Sequence, residues 1–101
     1  MNPEYFRDQI CEELEGAKAY AKLALEMKAM NPSWGKLLLE MSGAELNHAT
    51  NLRKMYDEYC QTVGKAYTDL PKYMQDIHSE IIDCYADEYA KIKLLHEAYN
   101  K

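Results

Sequence analysis

Across the first 62 residues the helical pattern is broken once, at Asn31-Pro32, and that single break dictates a hairpin of two long helices. Asn2 as N-cap, Pro3 at the first helical position and Glu4 in the first turn predict a helix over about 3–30. A second helix is expected over about 33–62, with Asn31 or Ser33 as its cap and Gly64 beyond its end. The stretch "GKAYTDLP" then leads to a third helix over about 70–99, capped by Thr68 or Asp69, with Pro71 in its first turn. A link of two or three residues makes the first two helices antiparallel, so facing residues should have numbers adding to about 63. For the second and third helices, facing pairs should add to about 132.

Each helix carries an apolar stripe with polar residues set into it. The first reads Phe6, Ile10, Glu13, Ala17, Tyr20, Ala24 and Met27. The second reads Trp34, Leu38, Met41, Glu45, His48, Leu52, Met55 and Tyr59, so Glu45 and His48 form a Glu-x-x-His pair on an otherwise oily face. The third reads Ile77, Ile81, Cys84, Glu88, Ile92 and Leu95, with His78 at its margin and His96 expected at the surface. Glu13 with His48, and Glu45 with Glu88, fall close to the expected sums, which places the polar interruptions in one slab. An acid and an imidazole facing a core must be paired, hydrogen-bonded or metal-bound, since burying them alone costs several kcal/mol.

Composition narrows the class. With 101 residues, four glycines and three prolines, the chain is expected to be one all-α domain. A net charge of −5 and no basic stripe argue against nucleic acid as a partner. No apolar run reaches the 18 or so residues that a membrane span needs, so no membrane role is expected. The opening "MNPEYFRDQICEE" has neither the charged nor the apolar part of a signal peptide. Cys11, Cys60 and Cys84 are odd in number and contain no C-x-x-C, which points to reduced thiols in the cytoplasm. Nine tyrosines and six methionines read as packing and interface material.

Carboxylates and imidazole suit iron, manganese or zinc, and residues three apart on a helix point the same way, so Glu45 and His48 can grip one ion. The stretch "EELEGAKAYAKLALEMKAMNPSWGKLLLEMSGAELNHATNLRKM", Glu12 to Met55, resembles half of a ferritin-like bundle of the rubrerythrin and encapsulated-ferritin type. The resemblance implies that Glu13 is a bridging or terminal ligand, that Tyr20 supports it by a hydrogen bond, and that Glu45 and His48 are paired ligands. It also implies ferroxidase or peroxide-reducing chemistry at two irons. Di-iron carboxylate bundles use two single glutamates and two Glu-x-x-His pairs, so two copies of this chain about a two-fold axis supply the set. The chain has no second Glu-x-x-His, no C-x-x-C iron site and no encapsulin-type docking tail.

The expected protein is therefore an all-α, ferritin-like antiparallel hairpin plus a third helix, its bundle completed by dimerisation. The expected cofactor is a di-iron centre held by Glu13, Glu45 and His48 of each chain, with Glu88 as a further candidate ligand. One rival is a metal-free helical interaction module that uses the same fold to dock partners; the chain also resembles short ferritin-like proteins of phage genomes. The other is a mononuclear zinc or manganese site in one chain, using all four residues.

Overall fold

The first helix starts as its caps dictate: the Asn2 side-chain oxygen accepts the Tyr5 N–H at 2.9 Å, and Pro3 occupies a position whose N–H has no intrahelical partner. In the computed structural model, which describes residues 1–63 and 69–101, this helix, α1, spans Pro3–Met30. Asn31 alone makes the turn. Its N–H returns to Met27 O at 2.8 Å, and its side-chain oxygen accepts the Trp34 N–H at 3.2 Å, so one residue closes one helix and opens the next. The second helix, α2, runs Pro32–Val63, and the third, α3, runs Lys72–Tyr99.

The start of α3 differs from the expectation. Thr68 lies outside the described residues, and Asp69 does not cap the helix. Pro71 stands at the N-cap with an extended ψ of 150°, and its carbonyl accepts the Met74 and Gln75 N–H groups. A proline there fixes φ without needing a donor, so the helix begins just after it.

Directions follow from paired contacts. Gly16 meets Glu45 and Ala17 meets Ser42, as an antiparallel α1–α2 hairpin requires. Thr50 meets Tyr85 and Tyr56 meets His78, so α2 and α3 are also antiparallel. Arg7 with Glu80 and Cys11 with Cys84 share one offset, so α3 lies parallel to α1. The Lys28 ammonium donates to the carbonyls of Tyr99 and Lys101, fixing the end of α3 against α1.

The core stripe of α2 is turned by one residue from the expected one. Gly35, Ser42, Leu46, Ala49 and Tyr56 are buried, whereas Trp34, Met41, His48 and Met55 are exposed. One residue is about 100° of helix rotation. The cause is close approach: a Cβ at Gly35 would lie 3.2 Å from Lys28 Cα and 3.3 Å from Ala24 O. Small residues on both helices, Ala17, Ala21 and Ala24 against Gly35, Ser42 and Ala49, occupy the seam and leave the large ones outside. On α1, Leu14 and Ala21 likewise take the buried places expected for Glu13 and Tyr20, while Phe6, Ile10, Ala17 and Ala24 are buried as expected. On α3 the isoleucines 77, 81 and 92 form the buried row.

His96 is half-buried, not a surface residue. The Ser42 hydroxyl is fully buried and donates to Ala17 O at 2.6 Å, so its oxygen accepts from His96 Nε2–H at 2.7 Å. Burial, and then Lys93, push the His96 pKa below the ordinary histidine value. Ser42→Ala leaves that imidazole N–H without a partner. It should lower unfolding stability by about 1–3 kcal/mol, measured by urea denaturation.

What α3 leaves uncovered matters most. Leu23, Met30, Trp34, Leu37, Met41 and Met55 are all exposed, and on a helical projection they share the side of the α1–α2 hairpin that turns away from the isoleucine row of α3. That is a large apolar surface for a protomer of this size, and such patches mark interaction sites.

Candidate metal centre

The middle of this uncovered side is polar. Glu13 reaches it from α1, and Glu45 and His48 reach it from successive turns of α2. One ligand atom from each of the three lies within 4.8 Å of the others. His48 Nδ1 stands 3.5 Å from Glu13 Oε2, longer than a good N–H···O hydrogen bond. Gly16 of α1 faces the Glu45 carboxyl, and a Cβ there would sit in ordinary contact, 3.4 Å from Glu45 Oε2.

The electrostatics are those of a site short of positive charge. Glu13 Oε2 is buried and has no hydrogen-bond partner. The Glu45 carboxyl is pushed above the ordinary carboxylate range, first by the Glu13 carboxyl that faces it, then by burial. Two carboxylates facing one another with an imidazole alongside form a hard, anionic donor set that a divalent cation neutralises. The orphaned Glu13 oxygen fits that occupant.

The position of the group corrects the expectation in one respect. These residues do not point into the core of the protomer: the His48 side chain is 58% exposed and that of Glu13 24%. The one-residue rotation of α2 sets them on the open side of the hairpin, between its exposed apolar residues.

A stability test follows from the sign of the Glu45 shift. Its folded pKa is raised above the unfolded value, so its contribution is complete below about pH 4.5 and is lost as pH rises through the folded pKa. In chelator at pH 7, Glu45→Gln should therefore raise the melting temperature, with a gain within the roughly 1 kcal/mol typical of exposed charge contacts. The same substitution should remove any stabilisation by added metal.

The other candidates fall elsewhere. Tyr20 is half-buried on α1, two turns beyond Glu13 and on the same side of the helix. Glu88 is not brought into the group. Its Oε2 lies 2.7 Å from Lys18 Nζ and its Oε1 3.4 Å from Lys91 Nζ, and Lys18 above all holds its carboxyl below the usual range. Residue sums gave its height along the bundle but not its side. The parallel packing of α3 on α1 turns Glu88 toward Lys18, roughly opposite Glu13 around α1.

The model of the family described as Rubrerythrin matches residues 4–101, almost the whole chain. No curated protein and no solved structure matches it.

Proposed function

The chain belongs to the rubrerythrin family of the ferritin-like superfamily, and on that premise we propose that it is a metal-binding protein whose di-iron centre is shared across a homodimer. The observation that carries this reading is the Glu13–Glu45–His48 group, with its orphaned carboxylate oxygen, set in an uncovered apolar face. Three ligands are half of a di-iron carboxylate set. A second copy laid on the same face about a two-fold axis supplies the other half and covers Trp34, Leu37 and Met41 at once.

In this arrangement α1 and α2 of each copy form a four-helix core, and α3 lies outside as a brace. Glu13 would be a bridging or terminal carboxylate ligand, Glu45 and His48 the paired ligands, and Tyr20 a hydrogen-bonding group that supports them. Two Fe(II) ions bound there would supply the electrons to reduce oxygen or a peroxide. The chain's own part is to hold the pair in a pocket that the apolar face closes to bulk water, which strengthens every charge interaction inside it.

Anaerobic Fe(II) titration with light scattering tests both halves of the proposal. Two irons per dimer, followed on exposure to air by near-ultraviolet ferric absorption, is the expected result. One metal per chain in a persistent monomer favours the mononuclear site, and no retained metal overturns the reading. Absorption rising no faster than in buffer removes the oxidative chemistry alone.

A further inference from the structure

On the other side of α1, away from the carboxylates, two cysteines face each other. Cys11 of α1 and Cys84 of α3 are both free, and their sulfurs lie 3.0 Å apart. A disulfide bond is about 2.05 Å long, so closure needs a sulfur movement of only about 1 Å. Both residues are half-buried rather than sealed, so a small oxidant can reach them. Burial, and then the neighbouring Cys84 sulfur, push the Cys11 thiol up to about 12, so Cys11 rests protonated.

We propose that Cys11 and Cys84 are a dithiol redox site that closes to an intramolecular disulfide on reaction with a hydroperoxide. One sulfur, as thiolate, attacks the peroxide oxygen: an S–O bond forms, the O–O bond breaks, and the departing oxygen leaves as water or alcohol. The second sulfur attacks the resulting sulfenic acid. The S–S bond forms, the S–O bond breaks, and the released hydroxide takes the second thiol's proton as water. Two thiols lose two electrons and two protons, and the peroxide is reduced to water and alcohol, or to two waters from hydrogen peroxide.

The bridge joins positions far apart in sequence and staples the outer helix α3 to the helix that carries Glu13. It does not depend on the metal site, because residues 11 and 13 project to opposite sides of α1. The resting dithiol agrees with the absence of any disulfide framework in the sequence.

The test uses the full chain in excess chelator, so that the metal proposal can fail separately. After hydrogen peroxide, free thiols should fall from three to one per chain and the intact mass by about two hydrogens. Peptide mapping should find Cys11 joined to Cys84, and dithiothreitol should reverse the change. The melting temperature of the oxidised chain should rise by roughly 10 °C or more. Cys60→Ser should leave the cross-link intact, whereas Cys11→Ser and Cys84→Ser should each abolish it. Cysteines that gain oxygen without linking, or bridges that form through Cys60 between chains, overturn the proposal.

Discussion

Glu13→Gln should abolish the proposed metal binding while leaving the helices in place. Glutamine keeps the size of the side chain but removes the charge, and Glu13 is the residue through which α1 contributes to the group. Loss of an outer-shell partner typically costs 10–100-fold in metal affinity, so loss of this ligand should cost more than about 100-fold. Equilibrium dialysis against Fe(II) or Mn(II) should read close to zero metal per variant chain. Circular dichroism in chelator should be unchanged, since the buried row of Phe6, Ile10, Leu14 and Ala17 is untouched. A variant that holds metal as tightly as the parent would show that the carboxylate cluster is a packing feature only.

Trp34→Glu should convert the proposed dimer to an 11.8 kDa monomer without unfolding the chain. Trp34 is 59% exposed in the protomer, so its loss opens no cavity there. A glutamate at this position stands three residues after Asn31, in the first turn of α2, where its charge faces the positive end of the helix. The isolated protomer should be as stable as before, or more so. At the proposed interface the same change removes two large aromatic side chains and places two carboxylates in an apolar contact. Loss of two buried side chains alone amounts to roughly 3–6 kcal/mol per dimer, or two to four orders of magnitude in Kd. Sedimentation or light scattering at micromolar concentration reads the change directly. Metal binding should weaken alongside, because each copy then offers half a ligand set. If the parent chain is already monomeric at high concentration with metal bound, the shared centre is wrong.

These two substitutions separate properties that one stretch of α2 combines. Trp34, Met41, Glu45 and His48 lie on the side of the helix that the protomer leaves uncovered. Its apolar members are read here as the means of recruiting a second copy, and its polar members as the reason to do so. The cost to the metal-free chain is the Glu13–Glu45 repulsion, visible in the raised Glu45 pKa. A cation removes that cost, so metal binding and stability should rise together.

Three helices, their antiparallel hairpin and the meeting of Glu13, Glu45 and His48 were legible from sequence. The reason is that capping chemistry, the Asn31-Pro32 break and helical spacing act locally, and a one-residue turn leaves the hairpin register little freedom. Only tertiary packing decided which side of α2 is buried, whereas the isoleucine row of α3 was already legible in its spacing. The seam between α1 and α2 is set by how closely their backbones approach at Gly35, Ser42 and the facing alanines, and small residues barely register in a hydrophobic pattern. That approach turned α2 by one residue, brought Glu45 and His48 to the open side of the hairpin and left the large apolar residues uncovered. The parallel docking of α3 on α1, which joins Glu88 to Lys18 and brings Cys11 against Cys84, depends on contacts some 70 residues apart in the chain, and no local rule encodes them.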